Sequence, residues 1–182
     1  MTYYGAKELA ESYRTVRKNT LTIAQEIPAD KYGFRAATET RGVAQLLTHI
    51  AMASTLHYQI HAVERRSTLV GFDFPAFMQN MAAEEQQART KDQILDLLRR
   101  NGDQFAGWLD GLSDQFLGEQ VGMPPGATPA SKSRFEMILS VKEHEMHHRG
   151  QLMLIERMLG IVPHLTREMQ ARVAQMMAAA KK

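Results

Sequence analysis

The chain contains no cysteine, which excludes disulfides, thiolate metal ligands and a cysteine nucleophile. Any metal must be held by His, Asp, Glu or water. Excess charge is absent as well: 22 Lys and Arg stand against 20 Asp and Glu, leaving a net +2. No basic run is longer than a pair, so nothing argues for nucleic acid. Nor is there a stretch of the roughly 18 uncharged apolar residues that would suggest a membrane span. Met1 to Ser12 carries Lys7, Glu8 and Glu11 and has no apolar signal core. A soluble cytoplasmic protein with neither a nucleic-acid nor a membrane partner is expected. Two-residue alternation and internal repeats are lacking too, which argues against strands and solenoids.

What is present is helical periodicity. The 182 residues suit one domain with a real core. Leu9, Tyr13, Val16, Ile23 and Ile27 predict a first helix over Ala6 to Ile27, stopped by Pro28. Pro28 to Thr40 reads as a loop. A second helix begins near Thr40 to Gly42, follows Val43, Leu46, Leu47, Ile50, Ala53, Leu56 and Ile60, and fades at Arg65-Arg66. A short helical piece over Met78 to Arg89 leads to a third long helix, started by Thr90 and Asp92. Its apolar face is Ile94, Leu97, Leu98, Phe105, Trp108, Leu109 and Leu112. Gly118 to Ser133, with Pro124-Pro125-Gly126, reads as a loop. A fourth long helix runs from about Phe135 to Leu159 and ends at Gly160 and Pro163. A last, Met- and Ala-rich helix over Thr166 to Ala180 is expected to pack on the bundle or on a second subunit. The class is all-α: a four-helix bundle with crossover connections plus short additional helices, over residues 1–182 as a single domain.

The fourth helix carries the chemistry. His144 and His148 stand one turn apart among apolar residues, a preformed half-site for one divalent ion. A buried face that polar is unfavourable unless something binds it. A third ligand must come from another helix. His49, beside the stripe of the second helix, is one candidate; the pair His57 and His61 is its rival, although Glu64, Arg65 and Arg66 suggest a solvated face for that pair. His147 points about 100° away from His148 and is expected to hydrogen-bond behind the ligands or to pack in the core. Gln151 is expected to support His148 from behind, and His164, after a proline, to be exposed. Arg149 reads as surface charge, and Tyr13 and Trp108 as core.

Two known patterns overlap here. His144-Glu145-Met146-His147-His148 matches the H-E-x-x-H of zinc peptidases, with Glu145 as general base. Gln151 and Leu154 stand where the extended form of that motif needs Gly and His, and no flanking sheet is visible. Glu145 and His148 also form an E-x-x-H pair, but the second such pair of a di-metal bundle is missing. A mononuclear site is preferred.

Four stretches together resemble the DinB/YfiT-like family of metal-binding helical bundles (the DinB superfamily): Ile27 to Arg35, Ala44 to Ile50, His144 to Gln151 and Glu156 to Gly160. The resemblance implies His49 as the third ligand beside His144 and His148. It also implies one divalent transition metal ion, zinc or nickel, and a homodimer. For function it points to a metal-dependent transferase that activates a low-molecular-weight thiol for attack on an electrophilic small molecule. A metal-dependent hydrolase using metal-activated water, with Glu145 as base, is the enzymatic alternative. A non-catalytic, metal-stabilised stress or interaction protein is the third reading. Since the chain has no Cys, the thiol has to be a cosubstrate.

Overall fold

A computed structural model describes residues 4–180 of the protein. Four long helices form the bundle: α1 (Ala6–Glu26), α2 (Val43–Tyr58), α4 (Lys91–Asp110) and α6 (Arg134–Met158). The shorter α3 (Phe74–Gln86) lies against α2, and α5 (Asp114–Gly118) leads towards α6. The last helix, α7, spans His164–Ala179. No helix among the described residues is long and apolar enough to cross a membrane.

The ends follow local chemistry. The Thr90 hydroxyl accepts from the Gln93 amide at the start of α4, while the Gln93 side chain accepts from the Thr90 amide. This reciprocal pair satisfies two donors that a helix start leaves open. At the start of α6 the Ser133 hydroxyl accepts from Glu136 N, without the reciprocal bond. Gly160, at φ +79°, supplies the left-handed residue that closes α6.

Two apolar clusters fill the bundle. One gathers Ile23, Ile27, Leu47, Ile50, Ile94, Leu98 and Leu152. The other gathers Leu9, Tyr13, Phe105, Leu109, Ile138 and Val141. Arg17 bridges them. Its guanidinium donates to the Tyr13 hydroxyl at 2.7 Å, to the carbonyls of Leu98 and Ile50, and to both oxygens of Glu145. Both members of this ion pair are buried. Gly102 leaves room for it, since a Cβ there would lie 2.9 Å from Arg17 Nη1.

The structure departs from the sequence reading in several places. The loop Gly118 to Ser133 holds a short antiparallel pair, β1 (Gln120–Gly122) with β2 (Ser131–Ser133). Three residues per strand are too few to show an alternation. α3 begins at Phe74, ahead of the expected start, because Asp73 caps it through Ala76 N and Pro75 suits a first turn. Beyond Tyr58, α2 continues as one π turn, Gln59–Val63. That turn carries His61 inward: it is fully buried, its ring stacked on His57 at 5.7 Å. The solvated face expected for this pair is therefore wrong. His164 opens α7 and is buried, with Nε2 3.4 Å from Asn19 Oδ1, not exposed. From Arg167 onward α7 is exposed, Met169, Met176 and Met177 included, so its packing on the bundle is confined to its first turn.

Two predictions concern stability. Arg17→Leu strands the Glu145 charge in the interior and costs about 3–5 kcal/mol in urea unfolding. The double variant Arg17→Leu/Glu145→Leu recovers most of that loss. Glu156 is fully buried with both carboxylate oxygens unpartnered. Burial, with the Glu26 carboxylate nearby, raises its pKa from 4.5 to about 7. The folded state thus holds a proton that the unfolded chain releases, and stability falls as pH rises from about 4.5 to 7. Thermal melts across that range should show the fall, and Glu156→Gln should flatten it.

Candidate metal centre

The structure brings His49 of α2 together with His144 and His148 of α6. Their ligand atoms all lie within 4.8 Å of one another. His144 Nε2 is 3.0 Å from His49 Nε2 and 3.1 Å from His148 Nε2. The helical spacing accounts for two of these nitrogens, since positions i and i+4 of α6 share a face. The third arrives because α2 packs beside α6.

What stands behind each ring decides which way its lone pair points. His49 Nδ1 is 2.8 Å from Glu85 Oε1. Burial would raise the Glu85 pKa, but bonds from Arg41 and His49 outweigh it and hold the carboxyl below its usual range. An ionised carboxylate only accepts, so Nδ1 of His49 carries the proton. His148 Nδ1 is 2.8 Å from Gln151 Oε1, again an acceptor. The Gln151 amide nitrogen in turn lies 3.4 Å from His147 Nε2, consistent with that orientation of the amide. With their protons on Nδ1, neutral His49 and His148 both present unprotonated Nε2 atoms to the same point.

Burial lowers the pKa of all three imidazoles, that of His144 to about 4, with the neighbouring rings adding to the effect. The rings are therefore neutral near pH 7. His144 can donate one proton to one of the two lone pairs, and the other then has no donor. A divalent cation answers this donor set. An ion about 2.0–2.1 Å from each of three imidazole nitrogens in tetrahedral geometry holds them roughly 3.3 Å apart. The 3.0 and 3.1 Å separations to His144 need a small outward shift, and the third, between His49 and His148, lies within 4.8 Å. The donors fit a zinc- or nickel-type ion.

Beside the cluster lies a cleft of about 710 Å³. His148, Gln151 and Glu85 stand in its wall with Arg35, Arg41 and Gln45. Arg41 donates to Glu85 through Nε at 2.6 Å, clamping the carboxylate that orients His49.

A model of the DinB family matches residues 1–176. The chain belongs to the DinB family. Among curated proteins, none matches it in sequence. The fold is similar to the crystal structure of a DinB-like protein from Bacillus subtilis, with a TM-score of 0.62 and 18% identity. That match covers 84% of this chain and 92% of the other. It is also similar to an uncharacterised protein from Clostridium difficile 630, with a TM-score of 0.67 and 15% identity. There the shares are 86% and 98%. At these identities the likeness speaks for the fold.

The remaining expectations divide. Gln151 supports His148 as expected, and His147, though exposed, touches Gln151. His57 and His61 lie elsewhere and share no atom with the cluster. Glu145, the base of the hydrolytic and peptidase readings, is not among the converging donors. One residue after His144 it faces about 100° around the helix, where Arg17 takes both its oxygens. Glu85 and Arg41 escaped sequence reasoning. Glu85 sits in an Ala/Glu/Gln-rich stretch where no spacing distinguishes it from its neighbours.

Calorimetric titration of metal-free DinB-family protein with Zn²⁺ or Ni²⁺ should give one site, lost in His144→Ala. Glu85→Gln should weaken binding by about 10–100-fold. Affinity should begin to fall only below the ordinary imidazole range, because burial lowers the pKa of all three rings, and should be lost by about pH 4, where His144 itself protonates.

Proposed function

We propose that this DinB-family protein binds one divalent transition metal through His49, His144 and His148 and serves as a thiol transferase. In this reading it activates a low-molecular-weight thiol for attack on an electrophilic small molecule. The observation that carries the proposal is the pair of oriented lone pairs, on His49 and His148, beside an open polar cleft. Three protein ligands leave room in the coordination sphere, whereas a structural site is closed by a fourth.

The chemistry a bound cation supplies is a lowered pKa for a thiol that shares its coordination, so that thiolate is available near neutral pH. The rest belongs to the chain. Glu85 and Gln151 hold the His49 and His148 protons on Nδ1 and keep Nε2 free. Arg41 holds Glu85 ionised. Arg35, Gln45 and Gln151 give the cleft a polar wall suited to a polar cosubstrate. In the transfer, the sulfur forms a bond to the electrophilic carbon, the leaving group departs with the electron pair of its broken bond, and the thiol proton passes to solvent.

Hydrolysis is less well supported, because the carboxylate assigned as its base is not free. Glu145, the base that reading assigns, is committed to Arg17, and Glu85 is held by His49 and Arg41.

The test is to incubate Zn²⁺- or Ni²⁺-loaded protein with a panel of small cellular thiols and a chromogenic electrophile. Thiol-dependent turnover is expected, lost on chelation and in His148→Ala. Absence of turnover with every thiol, alongside metal-dependent ester hydrolysis without thiol, would overturn the proposal.

A further inference from the structure

A second cavity lies where the π turn of α2 meets the corner between α4 and α5. Its volume is about 220 Å³, and His61, Arg65, Trp108, Leu112, Ser113 and Phe116 contribute to its wall. It shares no lining residue with the metal-side cleft. His61 follows His49 by twelve positions, about 18 Å along a helix at 1.5 Å per residue.

His61 gives this cavity its chemistry. The ring is 0% exposed. Arg134 Nη1 lies 3.0 Å from its Nδ1, and a guanidinium only donates. Nδ1 therefore accepts, and the neutral ring carries its proton on Nε2. That buried N–H has no partner, although buried donors are nearly always satisfied. Arg134 is itself buried, fixed by Glu119 at 2.8 Å and lying over the Phe116 ring. The tautomer is thus set from behind by a residue that cannot turn away.

Two further features define what would accept the proton. Trp108 and Phe116 meet edge to face at 6.3 Å and give the cavity aromatic walls. Arg65 adds a positive charge to the lining, on a backbone at φ +49°. Left-handed backbone at a residue other than Gly, and a π turn beside it, are both features that collect at functional sites. The volume falls below the roughly 300–1,000 Å³ of sites for drug-sized ligands, which limits the occupant to one ring with one polar group.

We infer that this cavity binds a small, single-ring carboxylate, its oxygen accepting from His61 Nε2–H, its charge facing Arg65 and its ring against Trp108 and Phe116. The site is independent of the metal centre and of the activity proposed for it.

Trp108 is the only tryptophan, so its fluorescence reads the cavity directly. Benzoate is the probe, with benzyl alcohol as the uncharged comparator, on chelator-treated and on metal-loaded protein. A saturable change with benzoate is expected in both states, with benzyl alcohol about tenfold weaker or more. Arg65→Asn keeps a residue that tolerates left-handed backbone; it should weaken benzoate about tenfold and leave benzyl alcohol unchanged. His61→Phe should abolish the benzoate response, and Ala62→Leu, which adds bulk to the cavity wall, should do the same if His61→Phe does not fold. A change that never saturates, equal binding of both probes, or benzoate affinity indifferent to Arg65→Asn would each overturn the inference.

Discussion

Two imidazole lone pairs aimed at one point with at most one proton between them cannot be satisfied by protein alone. That constraint organises the metal side of this bundle. It requires His49 and His148 to be neutral, which burial ensures, and it requires their protons to be held elsewhere, which Glu85 and Gln151 do. It also requires α2 and α6 to pack side by side, with α3 against α2 to deliver Glu85.

The second buried polar group works differently. Arg17 and Glu145 neutralise each other between the two apolar clusters, and Arg17 adds contacts to Tyr13, Leu98 and Ile50. Such a pair contributes little net stability against an apolar replacement. It does define how α1 meets α6, because only one rotation of α6 points Glu145 at Arg17 and, about 60–100° away, His144 and His148 at α2. The H-E-x-x-H string thus splits across two faces of α6: its histidines serve the site and its glutamate serves the core.

Much of this was legible in the sequence because it is periodic. The stripes of α1, α2, α4 and α6 repeat at helical spacing, and Pro28, Thr90 and Gly160 mark ends through local backbone chemistry. His144 and His148 were visible for the same reason. His49 needed the family resemblance, since no spacing rule connects two helices. Glu85 and Arg41 were invisible: each acts through hydrogen bonds across a tertiary contact, in segments with no pattern of their own. The environments of His57 and His61 were misread because nearby charges in sequence were taken as nearby solvent, and that of His164 because its place after a proline was taken as a loop. One π turn rotates His61 into the interior, and the start of α7 places His164 against Asn19 of α1.

His49 and His61 lie on the same helix and its π extension, both neutral and both buried, yet the fold prepares them for opposite partners. An acceptor stands behind His49, so its proton faces backwards and its lone pair forwards, a donor for a cation. A donor stands behind His61, so its lone pair faces backwards and its N–H forwards, open to an acceptor. The residue type is the same, and burial lowers the pKa of each. The difference lies wholly in the second residue, Glu85 in one case and Arg134 in the other. A histidine's chemistry in this bundle is therefore determined one residue further out, by the group that fixes its tautomer. That group is the part of a site that a motif search, which reads only the ligand itself, passes over.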